Sequence, residues 1–271
     1  MARLSIYLLG PFHVLRDGSP VTGFESDKVR ALLAYLALEA DRPQRRAYLA
    51  GLLWPNCPEQ NARHDLRQAL SNLRHSIGDV DVTPPYLRIT RDTIQYNRQS
   101  DCWLDVQAFD ALLDACQEHA HRRLDLCPPC IERLHQAVAL YRGSFLQGFS
   151  PGENLPFQEW MLLLEERYHR RVVAALSQLA RCHAWCGEHE LVLRYARRHV
   201  ALEPWREEAH RHIMRALALS GQRNAALIQY QRCCRILADE LQVQPERETT
   251  ELYRRIRDGV DLSSCPIRGS S

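Results

Sequence analysis

The second half of the chain repeats itself. Gly187 recurs as Gly221, Cys182 as Ala216, Ala196 as Tyr230 and Leu202 as Ile236, each pair 34 positions apart. A period of that length, with small residues in the first half and a glycine at the turn, marks stacked helical hairpins. One hairpin cannot bury its apolar face alone, so residues from about 172 to 240 must stack. Pro204 and Pro245 follow the second helices of the two repeats, where a residue without a backbone N–H cannot extend a helix. Glu246 to Asp258 reads as a further helix that caps the stack. Such a stack offers a grooved surface to another protein or to a second copy of this chain.

The first hundred residues follow another rhythm. Leu4 to Leu9 and Phe12 to Arg16 read as short strands, Asp17-Gly18 as a tight turn, and Val21 to Phe24 as a third strand. The period then changes. Val29, Leu32, Leu33, Leu36 and Ala40 fall on one face of a helix that Ser26 or Asp27 can cap and that ends before Pro43. A second helix fits Arg46 to Leu53, and a third runs from Glu59 to Ile77 and stops near Gly78. Tyr86 to Thr90 and Thr93 to Tyr96 alternate as a hairpin with Arg91-Asp92 at its tip. Strands, three helices and a hairpin follow the order of a winged helix-turn-helix with an added N-terminal sheet.

The third helix carries the chemistry. At about 100° per residue, Ala62, Leu66, Ala69, Leu70, Leu73 and Ile77 share one arc. Arg63, His64, Arg67, Ser71, Arg74 and His75 share the neighbouring arc, with Gln60 and Gln68 beside them. Guanidinium, imidazole, hydroxyl and amide groups are those that reach phosphates and base edges in a major groove. Arg91, with Arg88, is placed to touch the backbone or the minor groove from the hairpin. The net charge of +2 does not identify a partner by itself. Lys28 is the one lysine among 35 Lys and Arg residues, a bias that GC-rich coding produces by itself, so what counts is where the arginines, bidentate readers of phosphate and guanine, fall.

Leu8-Leu9-Gly10-Pro11-Phe12, Lys28 through Leu36, Leu52-Leu53-Trp54-Pro55 and Leu70-Ser71-Asn72-Leu73-Arg74 resemble the antibiotic regulatory protein (SARP-type) family of bacterial transcriptional activators. So does the run Ala139-Leu140-Tyr141-Arg142-Gly143, continued by Phe145-Leu146 and Gly148-Phe149. The resemblance covers residues 3 to 258. It implies a response-regulator-type winged helix followed by a bacterial transcriptional activator domain, with 59–77 as the recognition helix. It also implies that the helical repeats, which are tetratricopeptide-like by their period, support activation and dimer contacts.

The expected fold is therefore mainly α: an N-terminal winged helix-turn-helix with small β-sheets over 1–98, an all-α repeat domain over 101–259, and a linker or tail over 260–271. The expected partners are double-stranded DNA, RNA polymerase or another protein through the repeats, and a second copy of the chain. The alternatives are a regulatory N-terminal part of a larger signalling ATPase and a protein–protein adaptor. No phosphate loop of the G-x-x-x-x-G-K-[ST] type, G-x-S-x-G turn or complete H-E-x-x-H motif is present, so no enzyme activity is expected. Neither a secretory signal nor an apolar run of membrane-spanning length is found, and a cytoplasmic location is the expectation.

Ten cysteines remain to be placed. Most read as small core residues, including the helically spaced Cys182 and Cys186. One group differs: Cys116-x2-His119 precedes Cys127-Pro-Pro-Cys130. Two such pairs across a short loop can close around a structural zinc ion, with His121 as an alternative ligand, or they can be incidental helix-end pairs. No cofactor is otherwise required.

Overall fold

The computed structural model describes residues 4–120, 127–152, 154–260 and 262 of the chain. These form two compact units, one within Met1–Ala111 and Ala139–His169, the other within Leu112–Val138 and Arg170–Ser271. The fold is mainly helical, with small sheets confined to the N-terminal region. Among the described residues no helix is long and apolar enough to cross a membrane.

The first unit opens with a four-stranded sheet. Strand β1 (Leu4–Tyr7) pairs antiparallel with β2 (His13–Arg16), and β3 (Ser19–Pro20) adds to β2. On the other side β7 (Cys102–Leu104) lies parallel to β1 with Ile6 opposite Leu104. Helices α1 (Asp27–Leu38), α2 (Arg46–Leu53) and α3 (Glu59–Ile77) follow. A second sheet joins β4 (Gln44–Arg45), β5 (Leu87–Ile89) and β6 (Thr93–Tyr96) in the order β4-β6-β5. Leu32, Leu33 and Leu36 of α1 meet a core that includes Leu49, Leu53, Leu66, Leu73, Ile77 and Ile94, all fully or almost fully buried. Each such side chain contributes roughly 1.5–3 kcal/mol relative to exposure.

Val21 to Phe24 is not a strand. Val21 N–H donates to the Val14 carbonyl at 2.9 Å, and there the ladder ends. The Gly23 carbonyl instead accepts Asn72 Nδ2 (3.1 Å) and Ser76 Oγ (2.8 Å), while Glu25 N–H donates to Asn72 Oδ1 (3.1 Å). Side chains of α3 take the backbone groups that a strand would have paired. At α1, Ser26 stands at the N-cap but makes no side-chain capping bond; Asp27 pairs with Arg30 instead.

The first unit continues past residue 100 to Ala111 and takes in Ala139–His169. Helix α4 (Asp105–Glu118) begins with a buried carboxylate: Asp105 accepts the N–H groups of Leu8 and Leu9 at 2.9 Å and of Val106 at 2.8 Å. Burial pushes this carboxyl above its usual range, against the pull of those donors and of Arg142. The Leu8–Gly10 backbone is then bonded to the stretch from 142 to 147: Arg142 N–H to Leu9 O (3.1 Å), Leu146 N–H to Leu8 O (2.8 Å) and Gly10 N–H to Ser144 O (3.1 Å). Gly10 has φ +125°, and a Cβ there would stand 3.2 Å from the Cβ of Arg142. Phe12, Phe149, Phe157 and Trp160 continue the contact as a chain of rings with centroids 5.0–6.3 Å apart. The two motifs Leu8–Phe12 and Ala139–Phe149 thus meet face to face.

The second unit is helical: α5 (Pro128–Leu140), the later part of α6 (Leu155–Trp185), α7 (His189–Leu202), α8 (Glu207–Leu219), α9 (Arg223–Ile236) and α10 (Arg247–Arg257). The ends of α7 shifted by 34 residues are the ends of α9, and Trp185 shifted likewise is Leu219, the end of α8. The turns repeat as well. Glu188 N–H reaches back to His183 O (2.9 Å), and Gln222 N–H to Leu217 O (2.8 Å), around Gly187 and Gly221 at φ +74° and +75°. Cys182 is buried as expected, but Cys186 is exposed. It lies past the end of α6, where the chain turns out toward Gly187.

Candidate nucleic-acid interface

Helix α3 starts at Pro58, whose carbonyl accepts Ala62 N–H at 3.0 Å, and ends at Gly78 in the left-handed conformation (φ +68°). Its buried residues are Ala62, Leu66, Ala69, Leu70, Leu73 and Ile77, the arc that the sequence marks as apolar. Gln60, Arg63, His64, Arg67, Gln68, Ser71 and His75 are exposed.

The tip of the β5–β6 hairpin is closed by its own hydrogen bonds. Thr90 N–H donates to Thr93 O (2.9 Å), and Thr90 Oγ1 accepts the N–H groups of Asp92 (3.3 Å) and Thr93 (3.0 Å). Strand β4 anchors the tip from the other side. Arg45 pairs in register with Thr93, Arg46 N–H donates to Asp92 O at 2.9 Å, and the Arg46 guanidinium grips Thr90 O at 3.1 and 3.2 Å.

Between the first turns of α3 and the hairpin tip lies an open groove of about 1060 Å³. Arg45, Arg46, Arg63, Arg67 and Arg91 line it with His64, Gln60 and Asn61, and Asp92 is the single acid among the lining residues. Arg63 is paired with Glu59 at 2.5 Å, but both side chains are more than half exposed. Such a pair is worth little in water and can be exchanged for a phosphate.

The groove brings together Gln60, Arg63, His64, Arg67 and Arg91 of the residues singled out in the sequence. The others stand elsewhere. Gln68 is hydrogen-bonded to His64 at 2.8 Å. Ser71 and His75 are exposed on later turns of α3, beyond the groove. Arg88 donates to Gln99 Oε1 at 2.5 Å. Arg74 serves the fold: its Nε donates at 2.9 Å to Oδ2 of Asp79, a carboxylate only 1% exposed, whose Oδ1 accepts Leu87 N–H at 2.9 Å. That carboxylate ties the end of α3 to the first strand of the hairpin.

Arg45 and Arg46 stand outside the residues singled out in the sequence. A signal was there. Two arginines at a helix start, with no acidic residue in the first turn, oppose the helix dipole. Such a local misfit is relieved by an anion.

The cysteine–histidine group lies in the second unit. The ligand atoms of His119, Cys127 and Cys130 are within 4.8 Å of one another. The Cys116 thiol donates to the Cys130 carbonyl at 3.5 Å. Burial pushes the Cys130 thiol up to about 11 and raises that of Cys116. His121 lies outside the described residues.

The model of the "bacterial transcriptional activator domain" matches residues 104–257. The transcriptional regulatory protein EmbR of Mycobacterium tuberculosis is 27% identical over 256 residues, covering 94% of this chain and 63% of EmbR. The regulatory protein AfsR of Streptomyces coelicolor is 31% identical over 254 residues, covering 92% of this chain and 24% of AfsR. The solved structure of M. tuberculosis EmbR in complex with a low affinity phosphopeptide superposes with a TM-score of 0.71 at 25% identity, covering 97% of this chain and 67% of that one. The chain thus spans less than two thirds of EmbR and about a quarter of AfsR.

Proposed function

The chain belongs to the family of the bacterial transcriptional activator domain, and on that premise we propose that it is a sequence-specific, DNA-binding transcription activator. The observation that carries the reading is the arginine-lined groove between α3 and the hairpin tip. Five guanidinium groups facing one acid make a site for a polyanion. The elements on either side are those that enter DNA grooves in a winged helix-turn-helix. The first turns of α3 lie in the major groove, with Gln60, Arg63, His64 and Arg67 toward base edges. Arg45, Arg46 and Arg91 hold the phosphates beside them and fix the register. The relatives named as transcriptional regulators support the same reading.

The helical repeats serve as the contact surface for RNA polymerase or for a second copy on an adjacent half-site, and the protein works in the cytoplasm without catalysis of its own.

The test is binding of the full chain to DNA upstream of its own gene and its neighbours, with competitor DNA, across a salt series. Expected is a sequence-specific complex whose affinity falls steeply with salt. The log–log slope should become shallower by about one for each phosphate-holding arginine, Arg45, Arg46 or Arg91, changed to alanine. Absence of binding to every fragment would favour the adaptor. Unchanged binding after Arg63→Ala and Arg67→Ala together would sink the groove assignment.

A further inference from the structure

We propose that His119, Cys127, Cys130 and Cys116 form a structural zinc site that fastens the end of α4 to the start of α5. The donor atoms come from two short pairs. Cys116 stands on the last turn of α4, and His119 one residue beyond its end, so a spacing of three puts both on one face. Cys127 opens α5: its carbonyl accepts the N–H groups of Cys130 (3.1 Å) and Ile131 (3.0 Å), which turns both sulfurs the same way.

The meeting of these groups is hard to explain by hydrogen bonding. His119 Nδ1 lies 3.2 Å from Cys130 Sγ and 3.3 Å from Cys127 Sγ. One ring nitrogen offers one proton or one lone pair, so it cannot bond well to two sulfurs. A cation between them can bind all three. A tetrahedral zinc with its usual bond lengths sets N···S edges at about 3.6 Å, so the atoms need to part by only a few tenths of an ångström to admit it. Cys116, outside that group of three, stands next to it and is the proposed fourth ligand. Its thiol is already on the Cys130 carbonyl, and leaving that weak bond for the metal completes the Cys3His set.

Charge fits as well. Three thiolates and one neutral imidazole around a divalent ion leave one net negative charge. Arg133 stands beside it, with Nη1 3.9 Å from Cys130 Sγ and 3.4 Å from the Ala115 carbonyl. The thiol protons leave to solvent as the metal binds. Thiolate and imidazole in a tetrahedron favour zinc over magnesium or calcium. The ion would hold the end of α4 against the start of α5 without any part in DNA contact, so the inference stands apart from the groove.

The full chain, stripped with a chelator under reducing conditions, is titrated with Co2+ and then Zn2+. Expected are one equivalent bound, the visible bands of tetrahedral thiolate-bound cobalt, and displacement by zinc. Cys127→Ser with Cys130→Ser should abolish the bands. Because those buried sites bear on folding, the exposed His119 supplies a second arm. His119→Ala should lose on the order of tenfold or more in affinity, and His119→Cys should restore tetrahedral binding with a shifted spectrum. His121→Ala should change nothing. A reduced wild-type chain that gives no thiolate–cobalt bands overturns the site. So does an unchanged spectrum in the cysteine double variant, or a loss in His121→Ala in place of His119→Ala.

Discussion

In the repeat unit, Gly187 and Gly221 stand 34 residues apart with nearly equal φ, and each sits in a turn closed by the same pair of backbone hydrogen bonds. On α3, Arg67 and Arg74 stand seven residues apart on one side of the helix and have different partners. Arg67 lines the open groove, and Arg74 is held by the buried Asp79. The contrast separates two kinds of periodicity. A backbone role recurs wherever the backbone conformation recurs. A side-chain role depends on what other parts of the chain bring within reach, and two turns along a helix the neighbours have changed.

The largest effect is expected where the contrast is sharpest. Asp79→Ala removes the acceptor of both Leu87 N–H and Arg74. It should cost roughly 3 kcal/mol in chemical denaturation. Arg74→Ala should cost less, since water reaches the end of that side chain, and should leave the DNA affinity of the folded protein within about threefold. A large affinity loss with unchanged stability would move Arg74 to the interface and erase the distinction.

Arg63→Ala with Arg67→Ala should do the reverse. Each contact is worth about 1–3 kcal/mol to DNA binding, so the pair should weaken the complex by about a hundredfold. The melting curve should move little, because exposed substitutions usually stay within about 0.5 kcal/mol. A melting loss comparable to that of Asp79→Ala would show that these arginines also serve the fold.

The next test is of pH. Burial lowers the proton affinity of His210, and also that of His199. His210 is fully buried, with Nε2 2.8 Å from Pro204 O and Nδ1 2.8 Å from Gln229 Nε2, so the neutral ring donates at one end and accepts at the other. For a base held below its unfolded value near 6.5, stability is complete above that value. It falls as pH drops through it toward the folded value, by up to about 1.4 kcal/mol per pH unit for each group. The hydrogen-exchange protection factors of α8 and α9, which take out the slower intrinsic exchange at lower pH, should therefore fall between pH 7 and 5.5 more than those of α3, whose tie to the hairpin involves no imidazole. An equal fall in both would refute the assignment.

The smallest effect sharpens the repeat. A Cβ at Gly187 or Gly221 meets open space, so alanine there isolates the backbone strain of positive φ, about 1 kcal/mol. Calorimetry should find the two substitutions nearly equal and additive. Costs differing severalfold would mean that the turns are alike in geometry but not in surroundings.

The sequence alone determined the ends of α2 and α3, the six buried residues of α3, the hairpin and the 34-residue period. All of these follow from local rules: the turn of a helix, the alternation of a strand, the glycine that a left-handed turn demands and the proline that a helix interior rejects. Tertiary structure decided the rest. It moved Val21 to Phe24 out of the sheet by giving its backbone to Asn72 and Ser76, and it tied the half-exposed Arg74 to the buried carboxylate of Asp79. It brought Arg45 and Arg46 to Arg91 across more than forty residues of chain, through the pairing of β4 with β6. The physical reason is that a periodic pattern fixes which way a side chain faces, whereas its charge or hydrogen bond is satisfied by whatever atoms the folded chain sets opposite it.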